Sequence, residues 1–163
     1  MLSNVNFTVH PGQVMGLIGP NGAGKTTLFE CLAGLLPADA GHVKHGVDQL
    51  VGRRRKEVLF YIPDAIVPWA EQRVDWVLNF IRKVYAQSHD KLRALSTPLR
   101  LDEIRDSRLG TLSKGERKRL MLALGLLTPH PLLLLDEPFD GLDLRQTRDV
   151  MALLKDEAAG GRA

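Results

Sequence analysis

The chain has few of the features that mark secreted or membrane-spanning proteins. Its 163 residues include a single cysteine, Cys31, so no disulfide can form within it. Aromatic residues make up only 6%, and a formal net charge of +3 is too small to indicate a nucleic-acid-binding protein. The longest apolar region, 120–135, is interrupted at 128–131, leaving pieces shorter than the ~20 residues of a membrane span. No signal peptide is visible, so we expect any membrane association to involve a partner.

A glycine-rich loop is the most informative motif in the chain. It fits the phosphate-binding pattern G-x-x-x-x-G-K-[ST] at every fixed position. Its glycines let backbone N–H groups approach a polyphosphate closely, Lys25 offers a positive charge to the β- and γ-phosphates, and the Thr26 hydroxyl suits Mg²⁺. The candidate ATP-binding residues are Gly19, Pro20, Asn21, Gly22, Ala23, Gly24, Lys25, Thr26 and Thr27.

The residues around this loop provide the context that the motif requires. The continuous apolar run 14–18 predicts a buried parallel strand, and the alternation over 5–9 predicts a half-buried one. Leucines at helical spacing after Thr26 predict a helix that ends near Gly34. A simple glycine-rich turn between a strand and a helix would not explain the Lys25-Thr26 pair, so we interpret the loop as a nucleoside triphosphate site.

The spacing of apolar residues changes in the middle of the chain. Short strands are predicted at 42–45 and 58–62, and from about residue 70 the apolar residues recur at helical spacing. We therefore expect a helical subdomain over 70–112, with the aromatic side chains of Trp76, Phe80 and Tyr85 in its core.

Two acidic residues follow the second apolar strand signal. A helix is predicted over 113–127, where Ser113 and Glu116 have the spacing of a capping box, and a buried strand over 132–135. Asp136 comes directly after that strand and suits a position near Mg²⁺. Glu137 can point elsewhere, toward the water that attacks the γ-phosphate. The phosphate loop and this acidic pair together predict hydrolysis.

These motifs resemble those of the nucleotide-binding domain of ATP-binding cassette (ABC) proteins. Residues 19–27 match the Walker A motif and 132–137 match Walker B, with Glu137 as the catalytic residue. Residues 112–116 resemble the signature, residues 140–143 resemble the D-loop with Asp143 as its main residue, and Asp64 falls in the Q-loop. The signature residues implied to meet the ATP of a partner subunit are Ser113, Lys114, Gly115 and Glu116.

The resemblance implies a fold and a domain organisation. We expect an α/β P-loop NTPase of the ABC type, with a mostly parallel core sheet, a small N-terminal antiparallel β part and an inserted α-helical subdomain. One domain would span 1–163, with its core at about 1–69 and 113–163 and the helical subdomain at about 70–112. Mg²⁺ would be held by Thr26, Asp136 and Asp64. A helix after the D-loop is expected over 144–159.

The resemblance also implies a function. The chain would bind and hydrolyse ATP as the ATPase subunit of an ABC transporter, at the cytoplasmic face of the cell membrane. Its partners would be a second ABC ATPase domain, joined head to tail, and a transmembrane permease subunit; no direct nucleic-acid partner is expected. Two alternatives stay open: a soluble non-transport ABC ATPase, and a truncated nucleotide-binding remnant with little hydrolysis.

Some positions depart from the family pattern. Lys114 and Glu116 replace the usual Gly and Gln of the signature, a variant that resembles those of exporters. Asp64 stands where Gln is usual, and Asp140 where Ser is usual. No histidine follows Asp143 to match the family's switch histidine, and no aromatic residue upstream of the loop matches the one that stacks on adenine. We therefore expect a chain truncated at both ends.

Overall fold

Two parallel strands lie at the centre of the fold. The computed structural model describes residues 2–64, 66 and 69–163. Strand β3 (Leu59–Ile62) pairs with strand β4 (Leu132–Leu135), and Leu59 lies opposite Leu132 while Ile62 lies opposite Leu135. Side chains alternate between the two faces of this pair. Leu59 and Leu134 pack toward helix α1 (Lys25–Ala33), whereas Leu133 and Leu135 pack toward helix α5 (Lys114–Leu126). Both faces are covered, which explains why each strand is a continuous apolar run.

The remaining elements surround this pair. The strands are β1 Lys44–His45, β2 Asp48–Gln49, β3 Leu59–Ile62 and β4 Leu132–Leu135. The α-helices are α1 Lys25–Ala33, α2 Arg55–Val58, α3 Val74–Val84, α4 His89–Ser96, α5 Lys114–Leu126 and α6 Leu144–Ala159. The largest hydrophobic core joins α3, α4 and α5. Among the described residues, no helix combines the length and apolar character needed to cross a membrane.

Several predicted elements are confirmed. Helix α1 ends where Gly34 adopts a left-handed conformation with φ of 72°. Strand β4 and helix α6 have the predicted bounds, and α5 lies within the predicted range 113–127. Helices α3 and α4 both lie within 70–112, where apolar residues recur at helical spacing. Strands β1 and β2 form the small antiparallel part.

The two strands predicted before the phosphate loop are wrong. Neither 5–9 nor 14–18 forms a strand, and Ile18 is 96% exposed. A strand needs a neighbouring backbone to pair with, and 13–19 is separated from β4 by an apolar cleft of about 580 Å³. Ala163 is the residue that pairs with this edge of β4: its N–H donates to Pro131 O, and its O accepts from Leu133 N.

The prediction that Trp76, Phe80 and Tyr85 lie in the core is also wrong for the first two. Trp76 is 47% exposed and Phe80 is 41% exposed, and their rings stack with centroids 5.2 Å apart. They are neighbours at spacing i, i+4 on one side of the helix, while Val74, Val77 and Leu78 are buried on the other. Helical spacing identifies the two sides but not which one is covered.

Helix α5 packs closely against β3 at Gly125. A Cβ added there would lie 2.4 Å from Ile62 Cδ1 and 3.2 Å from Ile62 Cγ1. We predict that Gly125→Ala lowers the free energy of unfolding by about 1–3 kcal/mol, because the buried side chain of Ile62 must shift to make room for the added methyl group. The measurement is urea denaturation. Gly16→Ala, where the added Cβ meets nothing within 4 Å, is the control; equal stability of the two variants would contradict the close packing.

His130 is buried between β3 and the end of α3. Its Nε2 lies 2.9 Å from Lys56 O, and its ring packs against Phe60 and Tyr85. Burial holds the pKa of His130 below the ordinary value of 6.5, and nearby Arg162 lowers this pKa further. The unfolded chain therefore binds a proton more readily than the folded one, so stability falls as the pH drops through 6.5.

We predict that His130→Gln makes the midpoint of thermal unfolding less dependent on pH between about 7.5 and 5. The unmodified chain should lose more stability than the variant over this range. His42→Gln, at an exposed histidine, should keep the full dependence. An unchanged pH dependence in His130→Gln would show that this histidine is not the group responsible.

Candidate functional site

The phosphate loop ends in a backbone conformation that favours glycine. Gly22 has φ of 81° and Gly24 has φ of 93°, both in the left-handed region. Helix α1 begins at Lys25, and no side chain caps its first turn. The free N–H groups and the positive end of the helix dipole are therefore available to an anion at this loop.

Lys25 folds back over the loop. Its Nζ donates to Gly19 O at 2.9 Å and to Pro20 O at 3.3 Å, and it lies 3.7 Å from Glu137 Oε1. The ammonium therefore sits between the loop and the acidic end of β4. A phosphate bound in the loop would compete with these carbonyl acceptors for the same charge.

Thr26 and Asp136 bring the loop and the acidic strand end into direct contact. The Thr26 hydroxyl donates to Asp136 Oδ2 at 2.7 Å. Asp136 is 4% exposed, and its N–H continues the strand ladder by donating to Ile62 O at 3.0 Å. A hydroxyl and a carboxylate at one point are the hard oxygen donors that suit a divalent cation.

Tyr61 joins this contact, and the sequence alone did not identify it. Its hydroxyl donates to Asp136 Oδ2 at 3.4 Å. Burial raises the pKa of Tyr61 well above its ordinary value, and the negative charge of Asp136 raises it further, so the hydroxyl stays a proton donor. The signal that could have found it is its place near the end of β3, beside the strand that delivers Asp136.

The backbone turns sharply at Glu137, directly after the end of β4 and Asp136. Its φ is +46°, a left-handed conformation that costs a residue with a side chain roughly 1–2 kcal/mol. Its carbonyl accepts a turn hydrogen bond from Asp140 N at 3.1 Å. Glu137 is exposed whereas Asp136 is buried, so these adjacent carboxylates have separate environments.

The signature residues form the N-terminus of α5. Ser113 and Glu116 make the predicted capping box: Ser113 N donates to Glu116 Oε2 at 2.8 Å, and Glu116 N donates to Ser113 Oγ at 3.3 Å. Hydrogen bonding to Ser113 holds the pKa of the Glu116 carboxyl group below its ordinary range. The start of α5 is exposed at Ser113 and Lys114.

The signature and the D-loop contact each other within the chain. A Cβ added to Gly115 would lie 2.5 Å from Gly141 O, so only glycine allows this approach. Lys114 pairs with Asp140, which raises the pKa of the lysine and lowers that of the aspartate. Asp143 caps α6, accepting from Gln146 N at 2.7 Å.

Asp64 has a different partner from the one expected. Its Oδ1 accepts from Lys118 Nζ at 2.7 Å, and Lys118 also donates to Asp136 O at 3.2 Å. Within 2–64, 66 and 69–163, no group of three or more His, Cys, Asp and Glu residues could hold a metal ion. A role for Asp64 as a magnesium ligand stays a prediction.

Comparison with known proteins identifies the family. The ABC transporter family model matches residues 2–140. A manganese transport system ATP-binding protein of Synechocystis sp. is 30% identical over 94% of this chain and 63% of its own length. A zinc import ATP-binding protein of Pseudomonas fluorescens is 35% identical over 94% and 56%. The chain thus spans about 60% of the length of these relatives.

Solved structures agree with these relatives. The ATP-binding subunit of an ABC transporter has a TM-score of 0.83 and 27% identity, covering 96% of this chain and 68% of that one. RNase-L inhibitor has a TM-score of 0.70 and 30% identity, covering 91% of this chain and 28% of that one. These neighbours confirm the predicted ABC-type α/β fold. The chain belongs to the ABC transporter family.

Proposed function

We propose that this chain binds ATP with Mg²⁺ and hydrolyses it to power transport, as the ATPase part of an ABC transporter. The hydrogen bond between Thr26 and Asp136 is the observation that carries the proposal, because it joins the phosphate loop to the acidic strand end. The relatives named for manganese transport and zinc import support a transport role.

The residues present fit a magnesium ion. Thr26 Oγ1 and Asp136 Oδ2 would hold it, together with phosphate oxygens and water, since Mg²⁺ takes few protein ligands and keeps several waters. When bound, the ion would offset negative charge on the phosphates. Asp64 would contribute through the carboxylate oxygen to which Lys118 does not donate.

The side chains divide the chemistry between them. Lys25 would leave its carbonyl acceptors and donate to the β- and γ-phosphate oxygens. Glu137 would hold the attacking water and accept its proton, and its exposed carboxylate faces the same cleft edge as Lys25. Glycines 22 and 24 allow the backbone N–H groups to surround the phosphates.

The exposed start of α5 supports a partner subunit. Ser113 and Gly115 would bind the γ-phosphate of an ATP held by a second ABC ATPase domain, arranged head to tail. A permease subunit would place the chain at the cytoplasmic face of the membrane. Residues 70–112 would form the helical subdomain of a single ABC-type domain, with the core at about 1–69 and 113–163.

Glu137→Gln tests the hydrolytic role. We predict that phosphate release falls by about 100-fold or more while the dissociation constant for ATP changes little, because a glutamine keeps the shape but cannot accept a proton. Phosphate release and fluorescent-nucleotide titration measure the two quantities. Glu71→Gln, at an exposed acid paired with Arg108, is the control.

Two results would count against hydrolysis by Glu137. Undiminished phosphate release in Glu137→Gln would remove this residue from the reaction. Tight ATP binding with no phosphate release by the unmodified chain would instead favour a nucleotide-binding remnant.

Gly115→Ala tests the shared site. The added methyl group would meet Gly141 O at 2.5 Å and push the D-loop turn away from α5. We predict loss of ATP-induced dimers by light scattering and at least about a tenfold slower hydrolysis, with ATP binding by the monomer retained. Normal dimerisation of this variant would show that the contact between α5 and the D-loop does not matter for assembly.

A further inference from the structure

Lys118 is a buried cation that none of the roles above uses. It lies one turn after the start of α5 and is 4% exposed. Its Nζ donates to Asp64 Oδ1 at 2.7 Å and to the backbone oxygen of Asp136 at 3.2 Å. One ammonium therefore joins three parts of the fold: helix α5, the segment after β3 and the end of β4.

Such a group is costly to bury, so its retention needs a reason beyond packing. An apolar side chain of similar size usually stabilises a buried position as well as an ion pair does. The neighbouring buried cation on the same helix, Arg119, has a different set of acceptors: Leu99 O, Arg100 O and Glu103. Only Lys118 of these two contacts the nucleotide site.

The hydrogen bond from Lys118 to the backbone oxygen of Asp136 affects the residue that follows, Glu137. The oxygen that Lys118 holds belongs to the peptide group that links Asp136 to Glu137. The next backbone angle is φ of Glu137, which is +46°. A residue with a side chain disfavours this left-handed conformation unless other contacts stabilise it. A hydrogen bond to its oxygen fixes the plane of the peptide and hence the direction in which Glu137 leaves the strand.

Resting on the proposed function, we propose that Lys118 is a positioning residue that orients Glu137 and connects this orientation to α5. The same helix begins at the signature, with Gly115 three residues before Lys118. If α5 moves upon contact with a second ATP-binding domain, the hydrogen bond from Lys118 to Asp136 O would transmit this movement to the peptide between Asp136 and Glu137. Asp64 balances the charge of the ammonium.

Lys118→Met tests the orientation of Glu137 without nucleotide. Methionine keeps the length of the stem and removes both hydrogen bonds. We predict faster amide hydrogen exchange over 136–140 in the nucleotide-free chain, because the turn after Asp136 loses its anchor. Arg119→Met is the matched control: it removes a buried cation from the same helix and should leave exchange over 136–140 unchanged. Equal exchange in both variants would overturn the proposal.

Kinetics of the same variants test whether Lys118 acts through Glu137. We predict that Lys118→Met lowers kcat by about tenfold or more, with the ATP dissociation constant changed by less than about threefold. In the Glu137→Gln background, Lys118→Met should cause no further loss, because the group it positions is gone. Additive losses would show a general structural role and overturn the proposal.

The two proposals fail in different ways. An unaffected rate in Glu137→Gln would contradict the proposed function, whereas a large effect of Glu137→Gln with an unaffected rate in Lys118→Met would contradict this inference alone. If Lys118→Met does not fold, the double variant K118M/D64V replaces it, because removing both partners of the ion pair leaves neither charge unpaired. Exchange over 136–140 then decides: an increase supports the role of Lys118, and no increase overturns it.

Discussion

The parallel register of β3 and β4 is the constraint on which the site depends. Ile62 lies opposite Leu135, and Asp136 N continues the ladder to Ile62 O. Because parallel strands end at the same edge of a sheet, this register places Tyr61 and Asp136 side by side. Thr26 connects the phosphate loop to this edge, because its hydroxyl donates to Asp136 Oδ2 at 2.7 Å.

Helix α5 relates the site to the rest of the molecule. Its first residues form an exposed capping box, its second turn buries Lys118 against the strand end, and its last turns cross β3 at Gly125. Because Gly115 has no side chain, the D-loop turn can approach the same helix. One rigid element thus contacts the strand pair, the acidic edge and the surface proposed to meet a partner.

Local signals predicted much of this fold, and tertiary pairing explains the rest. The capping residue Ser113 marks the start of its helix by a local hydrogen bond, so it could be predicted from the sequence. Asp143, expected only as a D-loop residue, also caps a helix. The apolar run 14–18 does not form a strand, because strand formation depends on a partner that lies elsewhere in the chain. The exposure of Trp76 and the buried contacts of Lys118 likewise depend on which surfaces meet.

We propose that Asp136 and Thr26 form the cation-binding end of an ATP site. The most direct measurement is the dissociation constant of ATP with Mg²⁺ and with EDTA, for the unmodified chain and for Asp136→Asn. We predict that the two proteins bind ATP equally in EDTA, and that the variant loses about tenfold or more of the gain that Mg²⁺ gives the unmodified chain. A full magnesium-dependent gain in Asp136→Asn would show that Asp136 does not help to hold the cation.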